Sequence, residues 1–527
     1  MARATPRPPQ PPAPRRATRR GWPGLTAALA AALALRLWLA ASSAGLTMDS
    51  PLYVRMAEWL RGGAPAEGPA HHGYSALVAL AGLLAPGREW PGRLVSLAAS
   101  LALIAIVWAL ARRTAPRWAS LAACLAALHP VLGVYGVAVM TEASFLAIAY
   151  GALLLIGHRR LLAGGLALGA GYAVRPEALV LAAAAAALTR LGRRGAVLLV
   201  AGFLLAAGPY VAFLSLREGG FTLSPKTVLV HGGPRGTRET EWRVGPVTSA
   251  AAAPRGVRQA DPRVSAETIT PAAPRGLVAR TRSAALSLAA DYLPNLGRHA
   301  TRLLEAWPLP LLALSLIGLA RRRGVLLAPF AVTMALPLLV VPDDIRFALL
   351  QVPALAVAAA EGAAWLAAGV RRPARATGAA MALALAAGGL ALGWAGPAGR
   401  VALSFDDGPM PALRAAGAWL AEHGRPGATV MDRKAYVPFF AGMRHAQLPD
   451  DSYDTIVAWA RRSGADYLVV EEYVARTLRP QLAPLIGDAR FRAAEGRLRP
   501  IYARRDAPGE GVAIFEVVRD SSAAPGP

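Results

Sequence analysis

This 527-residue chain has little cysteine, lysine or charge. Cys124 is its sole cysteine, so no intrachain disulfide can form and cysteine usage does not reveal the redox compartment. Lysine stands only at Lys226 and Lys434 among 57 basic residues. The rest are arginine, and a high-GC genome accounts for that bias and for the abundance of alanine. Charged residues make up 17% of the chain, where soluble domains average about a quarter. That scarcity argues against an ordinary soluble globule. With 55% hydrophobic residues and a mean hydropathy of +0.38, it points to a polytopic membrane protein. The formal charge of +25 does not indicate nucleic acid, because much of it sits in short arginine clusters between apolar runs, as topology signals do.

Residues 1–20 are rich in Pro and Arg and read as a disordered basic tail. The apolar run Gly24–Leu46 follows. A cleaved signal peptide competes for this run, since "AASSAG" offers small residues, but the run is long for a signal core and more spans follow. The expected spans are 24–46, 93–111, 118–134, 143–157, 161–174, 177–190, 195–215, 306–320, 325–341, 347–368 and 377–396. Several fall short of the roughly 20 residues a crossing needs, and 161–174 with 177–190 reads as a hairpin whose tip carries "VRPE". Arginine clusters stand at 15–20, 112–117, 159–160, 190–194, 321–323 and 371–375. With eleven spans and the N-terminus inside, each cluster is cytoplasmic, in accord with the positive-inside rule. The short apolar stretch Tyr74–Pro86 must then lie in the interface or re-enter.

The outer face then receives 47–92, 135–142, 175–176, 216–305, 342–346 and everything after 397. The middle of 216–305 reads as a mobile loop and its end, "LAADYLPNLGRHATRLLEAW", as a helix returning to the membrane. From about 400 the composition is that of a soluble domain. "PALRAAGAWLAEHG" and "DDSYDTIVAWARRSG" read as helices, and "GATVM", "ADYLVVEE" and "GVAIFEVV" as strands. The expected architecture is therefore a mainly α transmembrane helix bundle with a C-terminal soluble α/β domain. Its divisions are a basic tail at 1–20, a transmembrane domain at 21–398 and an outer domain at 399–527.

Asp49, Glu58, His71, His72, Glu142, Arg175, Glu177, Asp343, Asp344 and Arg346 all fall at or near the outer surface on this topology. Each has a plain structural explanation when taken alone. Asp49 would cap the helix "SPLYVRMAEWL", Glu142 would favour a helix N-terminus, Arg175 would snorkel, and the two histidines would be loop residues. Their convergence on one face is the informative feature, since ionisable groups at membrane depth are costly. An acid there can act as a general base on an acceptor hydroxyl or amine, and nearby cations can stabilise a departing phosphate. That chemistry suits sugar transfer from a lipid-phosphate donor.

Several stretches carry a family resemblance. "MDSPLYVRMAEWLRGG", "HHGYSALVALAGLL" and "WPGRLVSLAASL" together resemble the first outer loop of the polytopic GT-C glycosyltransferases. These include the protein O-mannosyltransferases, the aminoarabinose transferases of lipid A and the bacterial Rgt-type enzymes. "VMTEASFLAIAYGALLL", "LAGGLALGAGYAVRPEALVL" and "DDIRFALLQVPALAVAAA" resemble later segments, and "ATVMDRKAYVPFFAGMRHAQLP" the outer domain of many bacterial members. The resemblance implies a polyprenyl-phosphate sugar donor, a lipid, glycan or protein acceptor, inversion at the sugar, and an extracytoplasmic site in the cytoplasmic membrane. It implies Asp49 and Glu142 as catalytic acids and Arg346 as a phosphate contact. Tyr53, His71, His72, Arg175 and Glu177 are the further candidates for substrate binding, and a divalent cation is possible. The chain departs from the family where Ser50 replaces a second acid, His72-Gly73 replaces Pro-Pro or Pro-Gly, and Phe347 replaces Tyr.

Two other functions compete. "VALSFDDGP" at 401–409 resembles the first motif of polysaccharide deacetylases, but only His423 and His445 follow it and no His-x-x-x-His completes a metal site. A transporter or flippase would also place charges in the membrane, but no internal repeat is apparent.

Overall fold

The computed structural model describes residues 22–43, 46–47, 49–63, 70–85, 87–189, 191–218, 220–224, 277–320, 324–335, 344–369, 375–405, 410–486 and 496–519. The basic tail, the middle of the 216–305 loop, Asp343 and the Asp406–Pro409 motif lie outside them. The N-terminal part is helical throughout: α1 Trp22–Ser42, α2 Ser50–Leu60, α3 His72–Ala81, α4 Trp90–Arg112, α5 Ala119–Leu128, α6 Pro130–Tyr135, α7 Thr141–Gly157, α8 Leu161–Val174, α9 Glu177–Leu188 and α10 Arg193–Glu218. After the long loop come α11 Leu277–Ala306, α12 Leu309–Leu319, α13 Ala328–Ala335, a 3₁₀ turn Ile345–Ala348, α14 Val352–Gly369, α15 Arg375–Ala395 and α16 Pro397–Leu403.

Four of these helical segments are long and apolar enough to cross a membrane: Trp22–Ser42, Trp90–Arg112, Arg193–Arg217 and Ala376–Ala395. A fifth candidate is a pair, Tyr292–Ala306 and Leu309–Leu319, bent by 105°. Six further apolar helices are shorter. Leu37, Leu205 and Leu392 on the long helices are more than half exposed. Such surfaces suit lipid and would be an aggregation liability in water.

Close helix approach comes from glycine. A Cβ on Gly165 would stand 2.1 Å from Leu199 O, and one on Gly202 2.3 Å from Leu162 O, so α8 and α10 meet backbone to backbone. Gly318 and Gly362 do the same for α12 and α14. Helix pairs in lipid gain stability from such packing because there is no hydrophobic drive between them.

The expected span 118–134 is broken. His129 has extended backbone (φ −66, ψ 125), and Pro130 opens α6. The break leaves carbonyls at the end of α5 without helical donors. Arg36 NH1, from α1, donates to Ala127 O at 2.9 Å, and Trp394 Nε1, from α15, donates to Leu128 O at 2.9 Å. Arg36 is 1% exposed and also donates from Nε to Ser100 Oγ at 2.6 Å. His129 Nδ1 accepts from Leu132 N at 3.2 Å, and its Nε2 meets Ala306 O at 2.8 Å, so it serves both this break and the end of α11.

The C-terminal part is a five-stranded sheet with helices: α17 Met410–His423, β1 Thr429–Asp432, α18 Tyr436–Phe440, β2 Arg444–Gln447, α19 Tyr453–Arg462, β3 Tyr467–Glu471, β4 Leu498–Arg504 and β5 Val512–Val517. The strand order is β2-β1-β3-β5-β4. β1 pairs parallel to β2 and β3, and β5 pairs antiparallel to β3 and β4. Both faces of the central strands are covered, which is why β1 and β3 read as continuous apolar runs. Ser452 caps α19, its hydroxyl accepting from Thr455 N.

Candidate active site

Asp49 stands at the N-cap position of α2 but makes no capping hydrogen bond, which corrects the capping role open to it in sequence. Pro51 in the first turn starts the helix without the Asp49 side chain. The segment is fixed by its neighbour. Ser50 is fully buried, accepts from Thr47 N at 2.8 Å and donates to Val139 O at 2.9 Å. An acid at position 50 would place a charge against that carbonyl, so serine here is a packing requirement. The Asp49 carboxylate is left to face cations: Arg346 NH1 is 3.4 Å from Oδ2 and Lys434 Nζ 4.0 Å from Oδ1.

Arg346 belongs to the 3₁₀ turn before α14. Asp344 caps that turn, accepting from Arg346 N at 2.9 Å, and its Oδ2 lies 3.4 Å from Arg346 Nε. Arg346 Nε is buried yet makes no hydrogen bond within the described residues. Burial would lower the Arg346 guanidinium, but Asp49 and Glu142 more than offset this and hold it above its ordinary value. It therefore stays charged.

The second acid is Glu142, in the first turn of α7 and 4% exposed. Arg175 NH1 donates to its Oε1 at 2.7 Å. Arg175 follows α8 with extended backbone (φ −149, ψ 136), as a residue before proline does, and Pro176 then opens α9. That geometry returns its guanidinium over Glu177, whose Oε1 accepts from Nε at 3.0 Å and NH2 at 2.6 Å. Arg175 is thus committed to two carboxylates, and it fixes Glu142 rather than reaching freely into the site.

Tyr53, buried one turn into α2, lies within electrostatic reach of Asp49, Glu142, Arg175 and Arg346. Burial first, then Asp49 and Glu142, push its phenol well above the ordinary range, so it stays protonated. A cavity of about 30 Å³, room for about one water, lies among Glu142, Arg175, Glu177, Arg346 and Phe347. A larger apolar groove of about 370 Å³ runs between α3, α4 and α7, lined by Leu77, Leu80, Val95, Ala147 and Ile148. Its α7 wall belongs to the helix that carries Glu142 in its first turn.

The histidines go elsewhere. His71 Nε2 pairs with Ser224 Oγ at 2.9 Å. His72 Nδ1 lies 3.0 Å from Tyr210 OH, and its Nε2 accepts from Arg217 NH1 at 3.0 Å. Burial, then Arg217, push His72 down to about 4, so it is a neutral acceptor at physiological pH. Glu58 is held by Arg88 Nε at 2.6 Å and NH2 at 3.0 Å, and Arg88 NH1 donates on to Phe439 O. Glu58 therefore belongs to the contact with the C-terminal sheet domain. Among the described residues no group of three or more His, Cys, Asp or Glu is placed to hold a metal ion.

Two residues at the site were not legible in the sequence. Tyr135 at the end of α6 is buried within electrostatic reach of Asp344, Arg346, Glu142 and Asp49. Lys434 arrives from the other domain, and its rarity was the one signal available. Behind it Asp432 and Glu471 end β1 and β3. Burial, then the Glu471 charge, push the Asp432 carboxyl well above its ordinary range.

No family model matches the chain, and no curated protein does. Solved structures do. The chain is similar to ArnT from Cupriavidus metallidurans in the apo state, with TM-score 0.54 and 14% identity over 94% of this chain and 98% of that one. The same protein bound to undecaprenyl phosphate matches with TM-score 0.52 and 15% identity over 97% and 100%. The Archaeoglobus fulgidus oligosaccharyltransferase, tethered to an acceptor peptide, matches with TM-score 0.50 and 12% identity over 95% of this chain and 74% of that one. Agreement over nearly the whole chain at so low an identity is agreement of fold, and the chain shares the fold of these two proteins.

Proposed function

We propose that the chain is a membrane glycosyltransferase that moves a sugar from a polyprenyl-phosphate-linked donor to an acceptor at the outer face of the cytoplasmic membrane. The observation that carries this is the meeting of Asp49 and Arg346, which lie 297 residues apart in sequence and come within 3.4 Å beside the Arg175–Glu142 pair. Binding of undecaprenyl phosphate by a protein of the same fold supports the donor class. In this reading Asp49 takes the proton of the acceptor nucleophile as it attacks the sugar carbon with inversion. Arg346, whose Nε–H has no hydrogen bond among the described residues, receives the leaving phosphate. Arg175 holds Glu142 in place at the edge of the site, and Glu177 holds Arg175. Tyr53 keeps a protonated hydroxyl within electrostatic reach of these charges, and the groove between α3, α4 and α7 takes the prenyl chain.

The corresponding topology has eleven crossings, with the tail 1–20 inside, the transmembrane domain at 21–398 and the domain 399–527 outside. It places all six arginine clusters in the cytoplasm. The test is mass spectrometry of lipids and envelope glycans from cells with and without the gene. Loss of one glycosyl substituent, with build-up of its polyprenyl-phosphate form, is expected. Identical glycans alongside an altered distribution of an unmodified lipid would overturn the reading in favour of transport.

A further inference from the structure

Lys434 lies in the connection between β1 and α18, at the carboxyl end of β1. In open α/β sheets that edge is where ligands bind. Here the sheet domain is pressed against the segment 47–92. Arg55 NH2 donates to Met443 O at 2.6 Å, Arg88 NH1 to Phe439 O, and Arg414 NH2 lies 3.2 Å from Glu89 Oε1. These contacts carry Lys434 Nζ to 4.0 Å from Asp49 Oδ1 with its side chain 32% exposed.

The charges around Asp49 show what this adds. Asp49, Glu142, Glu177 and Asp344 set four carboxylates around the two guanidiniums of Arg175 and Arg346. A phosphodiester approaching that set alone meets net negative charge and is repelled. Arg175 is engaged by Glu177 and Glu142 within 3.0 Å on Nε, NH1 and NH2. Among the described residues, Arg346 and Lys434 are more loosely held, one beside each oxygen of Asp49. An ammonium is a compact point charge with three rotatable donors, suited to follow an oxygen whose charge grows during a reaction.

We propose that Lys434 is a second contact for the donor phosphate, so that the C-terminal domain completes the site. This rests on the glycosyltransferase reading above. The incoming phosphate draws Arg346 and Lys434 toward itself, and the Asp49 carboxylate accepts the proton of the acceptor O–H or N–H. The acceptor atom bonds to the sugar carbon, the bond from that carbon to phosphate oxygen breaks, and its electron pair stays on the phosphate between the two cations.

The test uses the full chain in detergent micelles and two probes, a short-chain polyprenyl phosphate and the matching polyprenol. Wild type is expected to prefer the phosphate. Lys434→Gln should weaken phosphate binding about ten- to hundred-fold, as for loss of a charge-assisted contact, with polyprenol binding unchanged. Lys434→Arg should restore most of the preference. Arg497→Gln, which removes an arginine paired with Asp454 elsewhere on the same domain, should leave the phosphate-to-alcohol ratio as in wild type. If Lys434→Gln does not fold, Lys434→Met gives the same ratio with a side chain of similar length. A neutral variant that keeps the wild-type ratio while Arg346→Gln loses it overturns this inference and leaves the glycosyltransferase reading standing. A wild-type chain with no preference for the phosphate overturns both.

Discussion

Replacing Arg175 by methionine keeps length and removes the charge that joins α7 to the α8–α9 hairpin. Glu142 is 4% exposed, and the Glu177 side chain is 16% exposed. Both are paired with this guanidinium. Breaking a buried pair by removing one partner costs about 3–5 kcal/mol, mostly because the remaining charge is left without compensation. Arg175→Met should therefore lose stability by about that much. Glu142→Gln in the same background should recover about 1–3 kcal/mol, since a neutral amide needs no counter-ion. Arg175→Lys should fall between, having the charge without the fork. The assay is reversible unfolding in mixed micelles, followed by tryptophan fluorescence and arranged as a double-mutant cycle over Arg175 and Glu142. A coupling energy below about 0.5 kcal/mol would mean the two residues act independently. The pair as described would then be wrong.

Two further outcomes follow from the same geometry. Arg36→Met should destabilise the helical part by about 1–3 kcal/mol by leaving Ala127 O and its companions without donors, and an unchanged unfolding midpoint would refute the bridging role. His445, in β2, lies against Asp432 O and within reach of Arg55 and Lys434; burial, then Arg55, push it down to about 3. A histidine depressed when folded binds fewer protons than the unfolded chain does. Its contribution is therefore complete above about pH 6.5 and is lost as pH falls toward 3. His445→Gln should flatten the stability profile across that window, measured as the difference from wild type, and identical profiles would refute it.

Much of the fold was legible because lipid imposes a simple code. Apolar runs and arginine clusters marked the helices, and the hairpin at Arg175–Glu177 lies where the sequence put it. The break at His129–Pro130 was not read, because the residues around it stay apolar and its carbonyls are satisfied by Arg36 and Trp394 from distant helices. In the C-terminal domain, β1, β3 and β5 were legible and β2 and β4 were not. The missed strands, "RHAQ" and "LRPIYAR", are the two edges of the sheet, where polar side chains replace the buried pattern.

The candidate site was legible as far as scarcity of charge allowed. Asp49, Glu142, Arg175 and Arg346 stood out because acids and lone arginines near apolar runs demand a reason. His71 and His72 stood out equally, but their partners Tyr210 and Arg217 lie in the second half of α10 and Ser224 just beyond it, where no spacing rule connects them. Lys434 was beyond reach for a similar reason. Its approach to Asp49 depends on how one domain docks on another, through arginines that donate to backbone carbonyls and carry no side-chain signature.

The most direct measurement is transfer of labelled sugar from a polyprenyl-phosphate donor by purified chain in proteoliposomes, with Asp49→Asn beside wild type. The substitution should lower single-turnover transfer by about 10²–10⁴-fold, the range of general-base catalysis, while binding of the polyprenyl phosphate persists. Transfer by the asparagine variant at the wild-type rate would contradict the role given to Asp49 and, with it, the chemistry assigned to the site.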